Sequence, residues 1–309
     1  MRSLVLFACI ALSASTPVPA RQGRDGGQHT IAVHVDLVVF NVTVTDGKGR
    51  HVSGLTDRDF RLTEERRVQD ITLFSAADVP VSVGLIVDAS GSMREKQAAV
   101  ASAALAVTTV SHAEDELFVV TFNEHATLGL PPSTPFTNDT AQVRSTLLGI
   151  RPAGMTALYD ALVMGIEHVK TGTRDRKVLV VLSDGGDNAS RYRLDDVIQL
   201  AQRSSATIYA VAIDADPDPD RNPGVLRKIA GTTGGRAYFP SSVQDLERVW
   251  RDIASAIRTQ YTLGYYSNNA VRDGTFRRVQ ITASRHGAPS LRVTTRAGYR
   301  APAGISAAR

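Results

Sequence analysis

Residues 81–93 read VSVGLIVDASGSM. The first seven form an apolar, largely β-branched run broken by one glycine, which is the composition of a strand buried on both faces. The run stops at Asp88-Ala89-Ser90-Gly91-Ser92, and a helix-like segment follows from Met93. A carboxylate and two hydroxyls alternating just past a buried strand point into the crevice where open α/β sheets bind ligands. All three are hard oxygen donors, the kind that suits Mg²⁺, Ca²⁺ or Mn²⁺. Such a set needs further oxygens from elsewhere in the chain.

Outward from this stretch, apolar strand patterns alternate with helical ones. Residues 95–110 are Ala-rich and helical, 116–123 (ELFVVTFN) are a second buried strand, and 140–150 and 157–170 are helices. Residues 177–182 (KVLVVL) give another buried strand, 195–204 a helix, 207–213 a strand and 225–230 a short helix. Val243, Leu246, Val249, Trp250, Ile253 and Ile257 share one face of a last helix. Strand and helix alternating over this length predict a doubly wound, mostly parallel α/β sheet covered on both faces. Two more oxygen groups fall where that crevice opens. Gly154-Met155-Thr156 puts a hydroxyl at a helix start, and Ser183-Asp184-Gly185 puts a carboxylate at the end of KVLVVL.

Both flanks are β-rich. Residues 31–45 alternate, with a change of parity near Val38 that predicts a bulge or bend. Strands are expected at 60–63 and 70–75, with a polar turn over 64–67 between them. After Arg258, Tyr261, Leu263 and Tyr265 alternate, and 277–282 and 291–295 are strand-like. The expected organisation is a leader at 1–20, an N-terminal β segment at 31–77, an α/β domain at 79–258, a C-terminal β segment at 259–300 and a tail at 301–309. The two β segments are each too small for a sandwich alone. Together they predict a single β-sandwich interrupted by the α/β domain, an arrangement that a cooperatively folding fragment 31–77 would exclude.

Residues 1–20, MRSLVLFACIALSASTPVPA, carry a basic start, a short apolar core and a small-residue exit, the pattern of a secretory signal peptide cut after Ala20. That predicts a secreted or periplasmic protein. No stretch reaches the roughly 18 apolar residues of a membrane span. Cys9 is the one cysteine, so the chain after the leader folds without disulfides. With 35 Lys+Arg against 31 Asp+Glu the net charge is +4, and no basic cluster with interleaved aromatics argues for nucleic acid.

Asp-x-Ser-x-Ser after a buried strand, a later Gly-x-Thr and a still later Ser-Asp-Gly resemble the metal-ion-dependent adhesion site of von Willebrand factor A-type domains. The resemblance covers about residues 79–258. The flanks VDLVVFNVTVTD and RAGYRAP look like the VWFA-related acidobacterial-type family. The resemblance implies that Ser90 and Ser92 ligate a metal, Mg²⁺ or else Mn²⁺ or Ca²⁺, through their hydroxyls. It implies that Thr156 binds directly when a ligand is present, and that Asp88 and Asp184 act mainly through water. Neutral hydroxyls leave a divalent cation under-neutralised with one position open, and the implied occupant is an Asp or Glu of a protein partner. The implied function is therefore adhesion-type binding.

Each motif also has a structural reading. Ser92-Met93-Arg94-Glu95 fits a helix capping box, Thr156 fits an N-cap, and Asp184-Gly185-Gly186 fits a strand-end turn. Asp214, Asp216, Asp218 and Asp220 form an acidic run whose prolines, with Val225 at the twelfth position, do not match a calcium loop. Asp187 reads as a polar loop residue, and His112, His125 and His168 lack zinc spacing. Two other functions stay in view. A metal-dependent hydrolase needs a general base beside the metal, and none is evident near Ser90, Ser92 or Thr156. An assembly factor working with an ATPase would be cytosolic, against the leader.

Overall fold

A computed structural model describes residues 36–212, 222–285 and 290–303. Four strands come first: β1 (Leu37–Thr45), β2 (Phe60–Glu64), β3 (Arg67–Gln69) and β4 (Leu73–Ser75). The alternating region follows with β5 (Val81–Asp88), α1 (Gln97–Val110), β6 (Glu116–Phe122), β7 (Ala126–Leu128), α2 (Thr140–Leu148), α3 (Leu158–Lys170) and β8 (Arg176–Leu182). It continues with α4 (Leu194–Arg203), β9 (Thr207–Val211), α5 (Pro223–Thr232), β10 (Ala237–Tyr238) and α6 (Val243–Arg258). The described chain closes with β11 (Tyr261–Tyr266), β12 (Phe276–Ala283), β13 (Arg292–Thr294) and β14 (Gly298–Arg300).

The central sheet has the order β10-β9-β8-β5-β6-β7. Its strands run parallel except β7, which turns back antiparallel on β6. Strand β5 is buried at every position, as its largely apolar run requires. Val83, Leu85 and Val87 face one core with Val143, Leu147, Trp250 and Ile253 from α2 and α6. Ile86 faces the other, with Leu158, Leu162 and Ile166 of α3, Val197 of α4 and Leu226 of α5. Gly84 is needed for packing, since a Cβ there would lie 2.2 Å from the Phe118 ring and 2.6 Å from Leu179. From β5 the chain crosses through α1 to β6 on one side, then through α2 and α3 to β8 on the other. The carboxyl ends of β5 and β8 therefore emerge side by side where the winding reverses, the usual place for a ligand site in such a sheet.

The flanking strands pair across the α/β region. β1 runs antiparallel to β11 from Leu37↔Tyr266 to Val42↔Tyr261, and β2 runs antiparallel to β12. Two four-stranded sheets result, β13-β1-β11-β4 and β14-β12-β2-β3. Phe40, Val42, Leu62, Tyr261, Leu263, Val279 and Ile281 fill one core between them. The interrupted sandwich expected from the sequence is present. The Arg176 guanidinium fastens both chain crossings: its Nη2 donates to the carbonyls of Ala77 (3.4 Å) and Gln260 (3.2 Å), and its Nη1 to that of Ile257 (3.1 Å).

Several local expectations change. The expected strand at 70–75 narrows to β4 at 73–75, and a further short strand, β3, forms ahead of it from the end of the expected polar turn; β7 and β14 were not anticipated. The parity change near Val38 leaves no break in the β1–β11 register, while residues 31–35 lie outside the described residues. Glu64, expected in a polar turn, ends β2 and is buried. The turn itself is Glu65-Arg66, both at positive φ, a twist that suits a tight hairpin. The leader, Ile213 and the acidic run Asp214, Asp216, Asp218 and Asp220 also lie outside the described residues. Among the described residues, no helix is long and apolar enough to cross a membrane.

Candidate functional site at the carboxyl edge of the central sheet

Asp88 ends β5 with no solvent exposure. Its Oδ1 accepts from the Ser90 amide at 2.9 Å, and its Oδ2 accepts from Ser183 Oγ at 2.8 Å. Burial pushes the Asp88 carboxyl up to about 6, the Ser90 and Ser183 hydrogen bonds oppose that, and the nearby charge of Asp184 adds to it. A carboxylate placed this way costs free energy to ionise unless positive charge comes close.

From Asp88 the chain turns through a 3-10 helix, Gly91–Lys96, rather than entering α1 directly. Ser90 is its N-cap residue but makes no side-chain cap bond. The capping box expected from Ser92 to Glu95 does not form, because the tight turn directs Ser92 back toward the sheet. Ser90 Oγ and Ser92 Oγ lie 3.2 Å apart, and Ser92 Oγ donates to Asp184 Oδ2 at 3.1 Å. Ser90 is buried, and Ser92 is exposed at the rim. Asp184 follows β8 and is buried; its Oδ1 accepts from the Gly186 amide, which is the strand-end turn expected there.

Thr156 reaches this edge through backbone contacts. The Gly91 amide donates to the Gly154 carbonyl at 3.0 Å, and the Ala153 amide to the Ala89 carbonyl at 2.9 Å, so the two loops are zipped together. Asn188 Oδ1 accepts from the Thr156 amide at 2.8 Å, and the Thr156 carbonyl accepts from the Asn188 and Ala189 amides. Thr156 is not the N-cap of α3, which starts one residue later than expected after Ala157. The first α3 amides are satisfied from the third loop instead: Tyr159 donates to Asp187 Oδ1 and Ser190 Oγ, and Asp160 to Ser190 Oγ. Asp187, expected as an ordinary loop residue, thus caps a helix, and burial raises its carboxyl above the usual value.

Asp88, Ser90, Ser92 and Asp184 are therefore joined by a continuous run of short polar contacts, and Thr156 is fixed on the adjoining loop. Among the described residues no three His, Cys, Asp or Glu side chains gather as a metal-holding group. The donors on offer are two carboxylates and three hydroxyls, a hard-oxygen set that fits Mg²⁺, Mn²⁺ or Ca²⁺ by its chemistry. Three contributors had not been singled out. Ser183 stood in the Ser-Asp-Gly motif, yet its hold on Asp88 spans 95 positions. Asn188 had no spacing signal. Lys96 brings its Nζ to 3.1 Å from Asp184 Oδ2, with side-chain exposures of 7% and 4%. Of the histidines, His168 lies against the Phe118 and Phe136 rings, and His112 pairs with Asp78.

A family model described as von Willebrand factor type A domain matches residues 82–252. No curated protein matches the chain. Among solved structures, the chain is similar to a von Willebrand factor type A protein from Catenulispora acidiphila, at 17% identity and a TM-score of 0.52, covering 90% of this chain and 76% of that one. It is also similar to proximal thread matrix protein 1 from the mussel byssus, solved with a zinc-occupied MIDAS motif. There the identity is 18%, the TM-score 0.50, and the coverage 63% of this chain and 49% of that one. At such identities the likeness is one of fold.

Proposed function

The chain belongs to the von Willebrand factor type A domain family, and from that premise we propose that it is an extracytoplasmic protein-binding module. Asp88, Ser90, Ser92, Thr156 and Asp184 would hold a divalent cation, Mg²⁺ or else Mn²⁺ or Ca²⁺, and present it to an Asp or Glu of a protein partner. The observation that carries this is the run Ser90–Ser92–Asp184 beside the buried Asp88 at the winding reversal of the sheet. A bound cation supplies an electrophilic position for a carboxylate oxygen. The protein's part is orientation: Ser183 aims Asp88, Asn188 fixes the Thr156 loop, and Ser92 stands at the solvent rim. Hydroxyl donors that add no charge leave such a cation electron-poor, which favours capture of an acid over turnover. The extracytoplasmic setting rests on the leader-like sequence of residues 1–20.

The test is a calorimetric titration of Mg²⁺ and Mn²⁺ into the purified protein beside Asp88→Ala and Ser92→Ala. The expected result is saturable binding in wild type that both substitutions abolish. Folded wild type that binds neither ion would overturn the proposal, and the motif would then be strand-end structure only.

A further inference from the structure

Among the described residues of the carboxyl edge, Lys96 is a feature that an adhesion-type metal site does not call for. Its ammonium donates to Asp184 Oδ2, the same oxygen that accepts from Ser92 Oγ. Both side chains are nearly excluded from solvent, so the pair is felt at a low effective dielectric and is screened little by salt. The 3-10 turn Gly91–Lys96 accounts for the placement: with three residues per turn it eclipses positions i and i+3. Met93 and Lys96 are accordingly the two buried residues of that turn. Met93 fills the core against α2 and α6, while Lys96 reaches the carboxylate.

Charge then decides what this arrangement does. Two ionised carboxylates offer a cation a charge of −2, and the ammonium reduces it to −1. Resting on the divalent-cation function proposed above, we infer that Lys96 is a tethered competitor for Asp184, which weakens metal binding and makes the edge stable without it. A divalent ion and the ammonium draw on the same oxygen, so the ion gains less from Asp184 than it would from a free carboxylate. The same contact balances a buried charge that would otherwise stand alone beside Asp88, a situation that strongly destabilises folded proteins. Lys96 thus sets the metal affinity without being a ligand.

The test compares wild type with Lys96→Met, Lys96→Gln and Lys96→Arg, reading Mn²⁺ affinity by calorimetry and Tm with and without Mn²⁺. Lys96→Met and Lys96→Gln are expected to bind Mn²⁺ on the order of tenfold more tightly, within the ordinary range of coupling between sites. Their Tm without Mn²⁺ should fall below wild type, and Mn²⁺ should raise it by more than it raises wild type. Lys96→Arg, which keeps the charge, should stay near wild type. In an Asp184→Ala background Lys96→Met should no longer lower the metal-free Tm, since the shared oxygen is gone.

Wild type and Lys96→Met binding Mn²⁺ equally, or the variant more weakly, would overturn the inference while leaving the metal site intact. Weak wild-type binding that Lys96→Met and Lys96→Gln both strengthen would support it. No binding by either folded protein would remove the metal function itself, and with it the competitor. Lys96→Gln keeps a hydrogen-bonding group of similar length, so the comparison stands if Lys96→Met does not fold.

Discussion

Glu64 in the sandwich and Asp184 in the α/β region are both buried carboxylates beside a cation, but their partners come from different kinds of structure. Glu64 takes hydrogen bonds from Tyr265 Oη (2.7 Å) and Tyr299 Oη (3.1 Å) on one oxygen, and from Ser267 Oγ (2.8 Å) on the other. Arg277 Nη1 stands 3.6 Å away. These donors sit on β11, β12 and β14 or next to them, so Glu64 cannot change partners without separating paired strands. Burial and then the Glu64 contact push the Tyr265 phenol far above its usual range, which keeps it a donor at any ordinary pH. Asp184 takes its bonds from Ser92, Lys96 and the Gly186 amide, all in turns beyond strand ends. Such partners exchange with small backbone movement. A buried charge fixed from strand interiors is structural; one held from loop ends is available to a ligand.

The largest effect expected from this contrast is at Glu64. Glu64→Ala leaves two phenols without their common acceptor and Arg277 without its counter-charge, and about 3–5 kcal/mol of stability should be lost, read from denaturant unfolding. A loss below about 1 kcal/mol would place Glu64 with the exchangeable group and break the comparison. Ser183→Ala should cost less, about 1–2 kcal/mol, because Asp88 loses one donor and the Gly185 amide loses its acceptor. The same substitution should weaken Mn²⁺ binding without abolishing it, which sharpens the distinction between a residue that aims a ligand and one that ligates.

The smallest effect lies where the two regions touch. His51 Nε2 and Asp252 Oδ1 are 2.9 Å apart, joining the turn after β1 to α6, and Tyr238 Oη donates to the other Asp252 oxygen at 2.7 Å. The His51 contact, more than any other, holds the Asp252 carboxyl below its ordinary value of 3.8. A lowered acid stabilises the fold at pH above its unfolded value, and that contribution fades as pH falls through the folded one. His51→Ala should therefore lower Tm modestly at neutral pH and flatten the decline of Tm on acidification below about pH 4. Parallel wild-type and variant profiles would show that Asp252 draws nothing from His51.

The sheet and the five oxygen positions were legible because both are written locally. An apolar run such as 81–87 reports burial on two faces, and Asp88, Ser90 and Ser92 announce themselves by following it. What stayed hidden depends on contacts far apart in the chain or on a turn of unexpected type. Lys96 sat in what reads as an ordinary α-helix start; only the 3-10 geometry sends it inward to meet a residue 88 positions away. Glu64 looks like a turn residue because its neighbours Glu65, Arg66 and Arg67 are charged, and its burial is set by β11 and β12, some 200 positions later. Thr156 looked like a helix cap because the true caps, Asp187 and Ser190, belong to another loop.

The Arg176 guanidinium gives the molecule a mechanical character. Two backbones, residues 76–80 and 259–260, carry the chain between sandwich and sheet. Force applied between the α/β region and the sandwich would load both. One buried side chain grips carbonyls on each of them, so the two are riveted and share the load in shear. Pulling then meets two strands at once rather than unzipping one.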